Sequence, residues 1–195
     1  MIRQKPFRPL SLALLLAATV VSVAGCTAAA TPSTQASHSA SAPTSAQPTA
    51  TPAAFSIPCE DLVPSPVLQS VDPNLTPDTS FSPQAGTYPA EISTLNGTIC
   101  AWKDPSGQSL VVAVAKPSAS VLKTEQAKVA AGSTPTSVFG SGISAYTANS
   151  GGTASGDTEI FTPAGYWLSV VSPLFLNPSS AQPLVSAVLQ ALPSS

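Results

Sequence analysis

The sequence predicts an α+β domain: a mostly antiparallel sheet of about five strands with about three helices packed on it. Two β-branched runs flank the turn Asp104-Pro105-Ser106-Gly107, the pattern of a hairpin. Apolar residues recur at helical spacing close to the C-terminus. Between these landmarks the chain reads as helix, two strands, helix, three strands, helix.

The domain begins at Phe55 and runs to Ser195, about 140 residues and near the commonest domain size. Ser65 as N-cap and Pro66 at the first helical position predict a short helix reaching Val71. From Asp72 to Tyr88 the chain carries Pro73, Pro77, Pro83 and Gly86 and no periodicity. Loops of that length are functional lids or disordered segments, and Phe81 and Tyr88 are its anchors to the body. Pro89 to Leu95 predicts a further helical turn, stopped at Asn96-Gly97.

Thr98 to Trp102 and Gln108 to Ala115 predict the hairpin strands. Leu110, Val112 and Val114 alternate with Val111, Ala113 and Ala115, so the second strand is apolar on both sides and belongs at the sheet centre. Ser118 to Ala131 predicts a helix ending at Gly132, with Val121, Leu122 and Val129 inside and Lys123, Glu125 and Lys128 outside. Strands follow at Ile143–Thr147, Asp157–Thr162 and Tyr166–Ser172. The segment 149–156, glycine-rich but without the lysine and following helix of a phosphate cradle, reads as a flexible hairpin tip. Ser180 caps the last helix, Pro183 is confined to its first turn, and Leu184, Val185, Val188, Leu189 and Leu192 form one stripe.

The N-terminal quarter is a different material. Arg3, Lys5 and Arg8 precede an uncharged apolar run from Leu10 to Val23, then two small residues and Cys26. That is the layout of a secretory signal peptide. As helix the run spans only about 21 Å, against about 30 Å for a bilayer core. Val23-Ala24-Gly25-Cys26 resembles the bacterial lipobox. The resemblance implies that residues 1–25 are removed and that Cys26 becomes the first residue, carrying a diacylglyceryl thioether. Membrane lipid is then a partner through the acylated Cys26, and the protein sits lipid-anchored on the extracytoplasmic face of the cell membrane. Two acyl chains anchor stably where one is marginal. The other readings of Cys26 are a buried or free thiol, or ordinary secretion after Ala28-Ala29-Ala30.

Residues 26–54 form the lipidated cysteine and a stalk. Thr27 to Ala54 contains ten Ala, six Thr, five Ser, four Pro, two Gln and one His, and no charge. It has almost nothing to bury against its ordering entropy, so it is expected to be disordered. His38, the only histidine in the chain, reads as a solvated stalk residue.

Loss of residues 1–25 leaves four basic against nine acidic residues, a formal charge of −5. That argues against nucleic acid as a partner, since such binders carry a basic patch. With Cys26 taken by lipid, Cys59 and Cys100 remain as an even pair, either bridged or as two buried thiols. A bridge closing a loop of roughly 40 residues stabilises by about 4 kcal/mol in the chain-entropy estimate. Two cysteines without a histidine in the folded part do not make a four-ligand zinc site, so no metal is expected.

Cys59-x-x-Leu62 beside a short helix, Cys100-x-Trp102 entering a strand and the terminal apolar helix are together similar to actinobacterial cell-envelope lipoproteins of unknown function with sensor-like extracellular domains. That resemblance covers Pro58 to Leu192 and implies a Cys59–Cys100 bridge and no established activity.

Catalytic candidates are sparse. A Ser-His-Asp triad needs a histidine the folded part lacks, and no G-x-S-x-G elbow is present. Ser120-Val121-Leu122-Lys123 is the one Ser-x-x-Lys spacing considered, and its lysine falls on the outer side of a helix. The acidic pairs Glu60-Asp61 and Asp157-x-Glu159 read as solvated surface, with too few oxygen ligands for a calcium loop. Trp102, Tyr166, Trp167, Tyr88, Phe81 and Tyr146 are placed to line a pocket beneath the long loop. Trp102, two residues from Cys100, also fits a core plug. Tyr166 and Trp167 are strand neighbours pointing to opposite sides, so whichever of them is exposed is the leading contact candidate.

The expectation is therefore no enzyme and no cofactor, but a binding or sensing module for an envelope component or a small apolar ligand. The rival readings are a lysine-dependent serine hydrolase acting on the cell wall and a purely structural envelope protein.

Overall fold

The computed structural model describes residues 55–148 and 157–193. The expected signal peptide (1–25), Cys26, the expected stalk (26–54) and the expected hairpin tip (149–156) lie outside the described residues. The described chain is α+β, with seven strands and five α-helices. In chain order these are α1 (Cys59–Leu62), α2 (Ser65–Val71), β1 (Thr76–Pro77), α3 (Tyr88–Thr94), β2 (Thr98–Lys103), β3 (Ser109–Ala115), α4 (Ala119–Gly132), β4 (Thr134–Thr136), β5 (Ser144–Ala148), β6 (Asp157–Phe161), β7 (Trp167–Val171) and α5 (Gln182–Ala191).

All strands belong to one antiparallel sheet in the order β1-β2-β3-β7-β6-β5-β4. Two meanders, β1 to β3 and β4 to β7, therefore meet where β3 pairs with β7. Helix α4 makes the connection between them.

The expected hairpin forms as the sequence dictates. Asp104 accepts from the backbone N of Gln108 (2.8 Å), and Gly107 takes φ +89°, which only glycine adopts without strain. The stop after α3 is equally local. Asn96 enters the left-handed region (φ +57°), and a Cβ on Gly97 would lie 2.5 Å from the Val114 carbonyl oxygen. Helix α4 starts where predicted, with Ser118 Oγ accepting from the backbone N of Val121.

Helices cover both sides of the sheet. On the first face, Leu110, Val112 and Val114 of β3 pack with Ile160, Leu168 and Val170 of β6 and β7. Leu62 of α1 and Leu184, Val185 and Val188 of α5 close that layer. On the second face, Ala113, Ala115, Phe161 and Trp167 meet Ile92 of α3 and Val129 of α4. Strand β3 is central and covered, as its two apolar sides require. The Cys59–Cys100 bridge (Cα–Cα 5.6 Å) pins α1 to β2.

Four details depart from the sequence expectation, the first being five α-helices where about three were expected. β1 and β4, two and three residues long, are added at the sheet edges. The final helix is preceded by a 3-10 turn, Pro178–Ala181, capped by Asn177, whose Oδ1 accepts from the Ser180 backbone N (3.1 Å), so Ser180 is not the cap. The cap of α2 is Pro64, one residue before Ser65.

Candidate functional site

The segment between β1 and α3 carries the chain around the β1 edge of the sheet, from the side of α2 to the side of α3. It creates a cleft on each side of Phe81. The larger, of about 560 Å³, runs along β2 where β1 has ended, since β1 pairs only with Trp102 and Lys103. Leu68, Leu75, Phe81 and Trp102 give it apolar walls, and Glu60, Gln69 and Asp78 give it polar ones. The Ser80 hydroxyl donates to Asp78 Oδ1 (2.6 Å) and holds that carboxyl below its ordinary 3.8, with Lys103 at 3.5 Å adding to the effect.

The smaller cleft, of about 380 Å³, lies over the second face between the 81–89 segment and Gly132 at the end of α4. Phe81 and Tyr88 line it, together with Ser109 and Val111 of β3, Val171 of β7 and Asp157 of β6.

The predicted contact residues are thus divided. Phe81 belongs to both clefts, Tyr88 to the smaller and Trp102 to the larger, where Trp102 is at once cleft wall and core plug. Tyr166 and Trp167 line neither cleft. They do point to opposite faces, but both faces are covered, leaving them 1% and 0% exposed. Tyr166 donates to the Pro193 carbonyl (3.1 Å), with the Lys116 Nζ 4.7 Å from its ring centre. Trp167 lies within a row of rings crossing the second face, stacked on Phe161 (5.5 Å) and edge-on to Tyr88 (6.1 Å). Tyr146, at the far end, is edge-on to Phe161 (6.2 Å).

The reading of Asp157-x-Glu159 as solvated surface is overturned. Asp157 is 2% exposed and Glu159 is fully buried, because β6 is an interior strand whose polar side lies beneath α3 and α4. Trp167 Nε1 donates to Glu159 Oε2 (2.7 Å) and Ser169 Oγ donates to Oε1 (2.6 Å). Burial pushes the Glu159 carboxyl well above its ordinary 4.5; the two hydrogen bonds oppose that shift, and Asp157 and Glu91 add to it. A protonated Glu159 keeps both contacts, since Ser169 can reverse and accept. Lys128 pairs with Glu91, whose hydrogen bond raises the lysine, and lies 3.8 Å from Glu125. Glu60 and Asp61 are exposed, as expected.

At the exposed start of α4, Ser120 Oγ lies 3.1 Å from Ser118 Oγ, while Lys123 is exposed and lines neither cleft. Among the described residues no helix is long and apolar enough to cross a membrane. No family model, curated protein or solved structure matches the chain.

Proposed function

We propose that this chain is a lipid-anchored extracytoplasmic module that binds a small apolar molecule, or the apolar part of an envelope component, in the larger cleft. The observation that carries the reading is the cleft itself. Its volume of about 560 Å³ falls in the range of small-molecule sites, roughly 300–1,000 Å³. Leu68, Leu75, Phe81 and Trp102 supply apolar contact, and a few polar groups at Gln69, Asp78 and Thr79 supply orientation. The bridged Cys59–Cys100 pair suits an oxidising compartment, and the lipobox-like Val23–Cys26 supplies the anchor.

The test is a fluorescence titration of the purified full chain with N-phenyl-1-naphthylamine. Phe81→Ala removes a wall of the cleft, and Gln69→Trp fills it from an exposed position. Each should weaken capture about tenfold, roughly 1.4 kcal/mol, with the unfolding midpoint recorded in parallel. Capture left unchanged by both substitutions rejects the cleft. Mass spectrometry of native material tests the anchor: a chain with residues 1–25 attached and Cys26 unmodified rejects it.

A further inference from the structure

One wall of the larger cleft is an open strand edge. β1 pairs with β2 at Thr76↔Lys103 and Pro77↔Trp102, and the Asp78 backbone N still donates to the Ala101 carbonyl (2.8 Å). There the chain turns away. Asp78 accepts from the Phe81 backbone N at its carbonyl (3.3 Å) and from the Ser80 backbone N at Oδ1 (3.1 Å). The places opposite Cys100 and Ile99 are left without a strand, although β2 extends back to Thr98.

The groups on that edge follow from the alternation of an antiparallel pair, in which successive residues turn their N–H and C=O to opposite edges. Ala101 faces away from β3, since it accepts from Asp78, so Ile99 does too, while Cys100 and Trp102 bond to β3. Among the described residues nothing accepts from the Ile99 or Ala101 N–H, and nothing donates to the Ile99 carbonyl. Cys59 Sγ lies 3.9 Å from that carbonyl, but a bridged sulfur has no hydrogen to give. Ile99 and Ala101 are only half-buried and line the cleft, so a ligand reaches them.

Two donors and an acceptor in strand geometry match an amide backbone, which a hydrocarbon ligand lacks. A ligand residue opposite Ile99 gives its N–H to the Ile99 carbonyl and its C=O to the Ile99 N–H. The residue beside it, opposite Cys100, turns its side chain to the face of Cys100, where Val63, Leu68 and Leu75 line the cleft. We propose that the larger cleft takes an extended, apolar peptide segment of a partner molecule, paired antiparallel to β2 opposite Cys100 and Ile99 on the line that β1 leaves at Asp78. This rests on the larger cleft being the binding site and gives the envelope component proposed for it a chemical class. The chain's own residues 27–54 do not supply the segment: they offer nothing larger than Gln or His to the apolar wall and carry Pro32, Pro43, Pro48 and Pro52. Nor does a second copy, whose marginal strands carry Pro77 and Pro135.

The experiment titrates the purified full chain with acetyl-Thr-Leu-Thr-Leu-amide and with its ester analogue, in which oxygen replaces the N–H of every inner amide. Backbone amide exchange followed by NMR reads the edge directly. In the free chain the Ile99 and Ala101 amides should exchange faster than those of Cys100 and Trp102, which bond to β3. Saturating peptide should slow the Ile99 amide about tenfold, and the peptide should bind about tenfold tighter than the ester. Ile99→Pro deletes a donor on the side away from β3, where a strand tolerates proline, and should weaken the peptide by a similar factor. Should that variant fail to fold, the peptide and ester on the wild-type chain decide alone. Equal affinities for the two overturn the proposal, as do Ile99 and Ala101 amides already as slow as Cys100 in the free chain. Capture of N-phenyl-1-naphthylamine beside either result leaves the apolar cleft standing without its strand. Peptide-slowed exchange without that capture upholds the strand and rejects the small apolar ligand.

Discussion

The two faces of the sheet are both covered by helices, but with different chemistry. Under α1, α2 and α5 the buried side chains are mostly aliphatic, tied in by one disulfide. Under α3 and α4 a row of four aromatic rings surrounds a buried carboxyl group that takes two hydrogen bonds. An aliphatic layer is indifferent to pH, whereas a buried carboxyl makes its layer sensitive to every proton gained or lost. Equal burial on the two faces therefore does not mean equal behaviour.

The strongest way to break this comparison is to truncate neighbours on β7 that point to opposite faces. Trp167→Ala should cost toward the upper end of roughly 3–5 kcal/mol, and Leu168→Ala roughly 2–5 kcal/mol. The Trp167 loss should grow as pH rises, because the indole N–H is one of the two donors that stabilise an ionised Glu159. The Leu168 loss should stay flat. Urea unfolding of both variants at acid and at mildly alkaline pH reads the difference, and two parallel pH profiles would mean that the faces are equivalent.

Replacing Cys59 and Cys100 together by Ser should cost about 4 kcal/mol, since the bridge joins residues 41 apart. This loss belongs to the aliphatic face. Reductant should lower the unfolding midpoint of the wild-type chain and leave the double variant unmoved.

Glu159→Gln sharpens the comparison with a smaller effect. The folded-state affinity of Glu159 for its proton is raised, so the stability it contributes is fully present below 4.5 and is lost as pH rises toward the folded-state value. A glutamine accepts from Trp167 and donates to Ser169 without carrying charge. The variant should therefore gain on the wild type as pH rises and show a flatter profile. Asp78 and Asp104, held low chiefly by the Ser80 and Ser106 hydroxyls, act in the opposite sense, with stability lost only as pH falls below 3.8. The Glu159 reading accordingly belongs above pH 5 or so, clear of the ordinary carboxylate range.

The strands from Thr98 to Ala115 were legible because β-branched side chains, a Pro/Gly turn and two apolar sides all point to the same structure. Helix α2 was legible from Pro66 in its first turn, and α3 and α4 from their stops at Asn96-Gly97 and Gly132. Strands β1 and β4 were not, because Thr76-Pro77 and Thr134-Pro135-Thr136 are too short for a period and carry the residue that argues against a strand. At the clefts, Phe81 stood out as an aromatic in a proline-bearing loop. Asp157 and Glu159 did not stand out, since alternation tells which side of a strand a residue takes but not whether a distant helix covers that side. The same gap explains Tyr166 and Trp167: their divergence was readable, and the double cover that buries both was not.

The prolines at the two margins, Pro77 and Pro135, have a consequence for this chain at high concentration. Each outermost strand is two or three residues long and lacks one backbone donor, so a neighbouring copy finds little to extend. Crowding should therefore not seed fibrils through the margins of this sheet.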